Sequence, residues 1–141
     1  MPHDHGGVTA PVSCQSTGVL YPLIPPRLHG WLDDLVVLLY VAGALLLGLS
    51  GPALAVALGG AAVHFTLTRL TDYPQGIWKL IPFRAHAFIE LGEGLLVLAA
   101  TLLVLRLALP ARAFLILMGL SQLVAFGFSD YGPVRERARR A

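Results

Sequence analysis

Two phrases in the sequence, "IPPRLHGWLD" from Ile24 and "IPFRAHAFIE" from Ile81, carry the residues best able to do chemistry. Each sets a histidine four residues before an acid: His29 before Asp33, and His86 before Glu90. On a helix that spacing stacks the pair on one face, about 6 Å apart along the axis. Imidazole and carboxylate together suit zinc, iron or manganese better than copper(I). His64 adds a third imidazole, so the metal ligands expected from sequence are His29, Asp33, His64, His86 and Glu90. Glu93, one turn beyond Glu90, is expected as a supporting or catalytic carboxylate that accepts a proton. Arg27, Arg84, Asp72 and Asp130 are expected around the set. Metal binding is the one route these residues offer to an activated water near neutral pH.

Other readings compete. The plainest is an interfacial polar cluster, with His29 and His86 wet in a first turn and Arg27 and Arg84 neutralising carboxylates at headgroup level. A proton or ion pathway would use the same acid and histidine types. Haem b is a further alternative, because Gly59 and Gly60 leave space beside His64, although carboxylates one turn from the histidines are unusual around a porphyrin. Asp72 and Asp130, in the triplets "TDY" and "SDY", also fit caps or turns. No serine or cysteine has an evident His-acid partner, which sets covalent acyl chemistry aside.

The elements that must position these residues are helices in a membrane. Of 141 residues, 56% are hydrophobic and only 13% charged, outside the soluble globular range. Leu28 to Leu49, Pro52 to Leu70, Ala85 to Leu105 and Pro110 to Phe128 are apolar stretches near the length, about 20 residues, that crosses a hydrocarbon core. The expected fold is all-α: a polytopic four-helix membrane bundle in up-down-up-down order. That order gathers His29, Asp33, His64, Asp72, His86, Glu90, Glu93 and Asp130 at one end. The opposite half contains neither acid nor histidine. Such segregation of costly intramembrane ionisable groups marks a site.

The two phrases also announce a repeat. Pro25, Arg27, His29 and Asp33 align with Pro82, Arg84, His86 and Glu90 at an offset of 57, and "TDY" at Thr71 aligns with "SDY" at Ser129 at an offset of 58. One helical hairpin is therefore written twice, over 24–73 and 81–131, with a pseudo-two-fold axis along the membrane normal. His64 aligns with Gln122 and Glu93 with Val36, so a site built from the repeat is asymmetric. Around this domain, 26–132, lie a flexible tail, 1–25, and a basic tail, 133–141. The first 25 residues lack the basic and continuous apolar regions of a secretory signal and read as a retained tail. Cys14 is the only cysteine, which excludes an internal disulfide and a multi-thiolate site.

Arg27, Arg69, Lys79, Arg84, Arg135, Arg137, Arg139 and Arg140 fall on one side of the membrane, and only Arg106 and Arg112 on the other. The positive-inside rule then puts both termini in the cytoplasm of a bacterial inner membrane. The tail "VRERARR" is expected to meet anionic headgroups, and nucleic acid is not an expected partner because no aromatic platform accompanies it. Trp31, Trp78, Tyr73, Tyr131 and Phe83 suit an interfacial aromatic belt. Small residues, Ala44 with Gly48 and Ala55 with Gly59, predict close helix contacts.

The stretch "LTDYPQGIWKLIPFRAHAFIELGEGLLVLAATLL" resembles small bacterial membrane proteins grouped by an SPW repeat, which share its T-D-Y-x-x-G, I-P and His-to-acid succession. The Ser-Pro-Trp triplet itself is missing, with Ser50-Gly51-Pro52 nearest to it. The resemblance implies the duplicated hairpin and brings no activity. The expected function is thus a membrane protein with a His/carboxylate metal site at the cytoplasmic bundle end, in the manner of a membrane metalloenzyme. The alternatives are a non-enzymatic accessory subunit of a larger membrane complex, or a haem-binding or proton-conducting bundle. A homo-oligomer is compatible with either.

Overall fold

The computed structural model describes residues 23–131. Cys14, the "HDH" of the amino-terminal tail and the basic tail 133–141 lie outside the described residues. Four helices carry the fold: α1 (Pro26–Leu46), α2 (Gly51–Leu70), α3 (Phe83–Ala99) and α4 (Leu109–Phe128). Each is long and apolar enough to cross a membrane, α3 being counted with the π-helical turn Ala100–Val104 that extends it. Pro26, Pro52 and Pro110 stand in the first turns of α1, α2 and α4, where a missing N–H costs nothing and a fixed φ favours entry.

The hairpin between α1 and α2 turns tightly because Gly48 and Gly51 take left-handed backbone at φ 58° and 55°, a region that side chains with a Cβ resist. Gly48 therefore serves the turn and not the helix contact expected of it. Gly59 likewise faces open space. The close contacts lie elsewhere. Gly60 faces the ring of Tyr40, Gly43 faces Phe114, and Gly94 and Gly119 bring the backbones of α3 and α4 together. Around them Tyr40, Ala44, Ala53, Ala57, Ala61, Val97, Leu115 and Met118 form the apolar core. Small residues let the helices approach where no hydrophobic effect drives them together in lipid. Leu45, Leu46, Leu96, Leu103 and Leu109 point outward.

Hydrogen bonds tie the helix ends at one side of the bundle in matching pairs. Leu23 and Ile24 donate their N–H groups to the Phe128 carbonyl at 2.9 and 3.0 Å, and Leu80 and Ile81 donate theirs to Leu70 at 2.7 and 2.9 Å. Asp130 N–H then donates to Ile24 at 2.9 Å, and Asp72 N–H to Ile81 at 2.8 Å. The entry into α1 is thus clipped to the exit of α4, and the entry into α3 to the exit of α2. These clips set the first turns of α1 and α3 beside the "SDY" and "TDY" triplets.

Candidate metal centre

Inside the clipped end sit His29 and Asp33 from α1, His64 from α2, and His86, Glu90 and Glu93 from α3. All three histidines are fully buried, and Asp33 and Glu90 are 1% exposed. The expectation that His29 and His86 are wet is therefore corrected. The rings Tyr73, Phe83 and Tyr131 pack beside them: Tyr73 and Phe83 stack at 5.5 Å, and the Phe83 ring stands 5.0 Å from that of His29. Tyr73 and Phe83, expected in the aromatic belt, are buried at the cluster instead. Trp31 and Trp78 remain exposed.

The imidazoles are oriented from behind. His86 Nδ1 lies 2.8 Å from Thr71 Oγ1, and His29 Nδ1 lies 2.7 Å from Ser129 Oγ. Thr71 Oγ1 also donates its one proton to the Leu67 carbonyl at 2.7 Å. It can therefore only accept from His86, which puts the histidine proton on Nδ1 and leaves Nε2 with a free lone pair. A hydroxyl or carboxylate behind a histidine is how metal-binding imidazoles are held and tautomerically fixed.

The Nε2 atoms then converge. His29 Nε2 is 3.2 Å from His86 Nε2, 3.3 Å from Asp33 Oδ1 and 3.6 Å from Glu90 Oε2. His86 Nε2 is 3.5 Å from Asp33 Oδ2. Four ligands at zinc distances of about 2.0–2.1 Å in a tetrahedron are about 3.3–3.4 Å from one another. The three separations from His29 Nε2 bracket that edge length, whereas His86 Nε2 meets the other Asp33 oxygen. Glu90 Oε2 has no hydrogen-bond partner among the described residues, and leaving such a buried acceptor unmet costs about 1–3 kcal/mol, more when it is charged. A cation would meet it. His29, His86 and Glu90 form one group that could hold a metal ion, and Asp33, His64 and Glu90 form another.

Asp33 stands at the junction of the two groups. Its Oδ2 accepts from Tyr73 Oη at 2.7 Å, and its Oδ1 lies 3.4 Å from His64 Nε2. Burial, reinforced by the Asp33 carboxylate, pushes the Tyr73 phenol well above its ordinary range, so it stays a donor. On the far side of His64, Nδ1 lies 3.1 Å from Glu93 Oε2. Glu93 is ten residues along α3, about 15 Å from its start at 1.5 Å per residue, so the polar chain reaches toward the bilayer centre.

The residues expected around the set sit at its margin. Asp72 is half exposed, 4.0 Å from Lys79 Nζ, and Asp130 meets Ile24 through its backbone N–H. Arg84 donates through Nε to the Tyr131 carbonyl at 3.3 Å, and the Arg27 carbonyl accepts from Gln75 at 2.8 Å. Asp34, next to Asp33, pairs with Arg69. Beside His64, Gly60 faces the Tyr40 ring and not an open slot, and both His64 nitrogens face carboxylates.

Sequence reasoning missed Thr71, Ser129 and the role of Tyr73. The signal lies in the triplets, whose first position is a hydroxyl in both copies. A serine does have a His-acid partner here: Ser129 bonds His29, which neighbours Asp33. Its full burial and its counterpart in Thr71, which orients His86 in the same way, mark it as a positioning hydroxyl. No protein-family model, curated protein or solved structure matches the chain.

Proposed function

We propose that this chain is a polytopic metalloprotein of the bacterial inner membrane, holding a divalent transition metal at the cytoplasmic end of its bundle. His29, His86 and Glu90 would hold the ion with Asp33 beside them, and zinc, iron and manganese all accept such a donor set. The observation that carries the reading is the convergence of one ligand atom each from His29, His86 and Glu90, with the two Nε2 atoms 3.2 Å apart and Glu90 Oε2 3.6 Å from His29 Nε2, and with Asp33 Oδ1 at the edge, 3.3 Å from His29 Nε2. A bound ion of this kind supplies a Lewis acid and lowers the pKa of coordinated water.

The protein's own residues do the rest. Thr71 and Ser129 hold the imidazoles, while Tyr73 keeps one oxygen of Asp33 occupied and turns the other inward. Glu93, behind His64, is an internal proton acceptor at the deep end of the site. The aromatic rings of Tyr73, Phe83 and Tyr131 keep bulk water from the donors. The duplicated hairpin, read as a parallel repeat, explains why each half contributes one imidazole and one carboxylate.

Elemental analysis of the untagged protein purified in detergent tests this reading. Near-stoichiometric zinc, iron or manganese that is lost in His86→Ala and Glu90→Ala is the expected result. Well-folded protein without metal would overturn it and leave a structural polar cluster, with an accessory-subunit role to be sought by copurification.

A further inference from the structure

We infer that the site takes two metal ions, with His64 the terminal ligand of the second. The inference rests on the metal-site reading above and goes beyond it in nuclearity. The residues concerned are His64, Asp33 and Glu90, with Glu93 as the group that positions His64.

The two sides of the His64 ring differ. Nδ1 lies 3.1 Å from Glu93 Oε2, within ordinary N–H···O range, so the proton belongs there. Nε2 lies 3.4 Å from Asp33 Oδ1. If His64 simply bridged two carboxylates as a cation, both contacts would be charge-assisted bonds of about 2.7–2.9 Å. The longer one instead matches the edge, about 3.3–3.4 Å, between two ligands of one small cation. Carboxylate behind, imidazole between and open lone pair in front is the arrangement that fixes a histidine for a metal.

Asp33 Oδ1 has both His29 Nε2 and His64 Nε2 as neighbours, at 3.3 and 3.4 Å. A carboxylate so placed is shared between two imidazole-bearing seats. Glu90 belongs to both candidate groups, His29 with His86 and Asp33 with His64, and its Oε2 lacks a hydrogen-bond partner among the described residues. The second seat has three protein ligands, the number that leaves a coordination position open to a further ligand in catalytic zinc sites. Paired ions about 3.5–4 Å apart clamp both oxygens of a displacement at a phosphoryl or acyl centre. The asymmetry of the repeat gains a meaning here: His64 and Glu93, which the other copy replaces by Gln122 and Val36, together make the second seat.

The test is metal content per folded chain after loading with Mn(II) or Zn(II) and removal of free metal. Wild type is expected to hold two ions, and His64→Gln one, with the Mn(II) protein changing from an exchange-coupled to an isolated-ion electron paramagnetic resonance spectrum. Glu93→Gln, which keeps the shape of the side chain, is expected to weaken the second ion by about 10- to 100-fold and leave the first in place. One ion in wild type, retained unchanged in His64→Gln, would overturn the second seat and leave the mononuclear reading intact. No ion in folded wild type would overturn both.

Discussion

His29 Nε2 and His86 Nε2 meet at 3.2 Å, although 57 residues separate them in the chain. They occupy the same position of a phrase written twice, and each has a hydroxyl from the end of a hairpin at its back. His86 Nε2 presents a lone pair there, so the contact is either a neutral bond donated by His29 Nε2–H or, when Ser129 accepts from His29 Nδ1, two facing lone pairs that a cation would bridge.

Thr71 holds His86 by accepting from Nδ1 while donating to Leu67. Thr71→Val keeps the shape and removes the acceptor, and metal affinity should fall about 10- to 100-fold in competition with a chromophoric chelator. Thr71→Ser should restore it. Equal losses in both variants would show that Thr71 acts by packing alone.

Tyr73→Phe removes the donor to Asp33 Oδ2, a buried bond of 2.7 Å. A hydrogen bond to a charged group contributes about 1.5–3 kcal/mol, so the unfolding free energy in mixed micelles should drop by about that much. An unchanged midpoint would mean that another donor serves Asp33.

Gly60 and Gly59 are neighbours with opposite expectations. A Cβ at Gly60 would come within 2.9 Å of the Tyr40 ring, whereas one at Gly59 meets nothing within 4 Å. Gly60→Ala should destabilise the bundle by about 1–3 kcal/mol through overpacking, and Gly59→Ala should not. Detergent-unfolding curves of the two variants compare them directly.

Much of this architecture was legible in the sequence because lipid imposes simple rules. Apolar runs of about 20 residues must be helices, and the i,i+4 spacing of His and acid puts His29 with Asp33 on α1 and His86 with Glu90 on α3. Helix starts came within two residues of those observed for all four elements. What could not be read was the depth of burial at helix ends. A histidine in a first turn looks wet in sequence, and only the clips from Ile24 to Asp130 and from Ile81 to Asp72, with the rings of Tyr73 and Phe83, exclude water. Thr71 and Ser129 escaped notice because a hydroxyl in a turn triplet has many local uses, and its tertiary partner lies 15 or 100 residues away.

The most direct measurement is X-ray absorption at the zinc edge of the zinc-loaded protein in detergent. Imidazole scattering from histidine, together with a nitrogen/oxygen shell near 2.0–2.1 Å that loses imidazole in both His29→Ala and His86→Ala, is the predicted result. An oxygen-only shell, or one indifferent to both substitutions, would contradict the claim that the two copies of the phrase hold an ion between them.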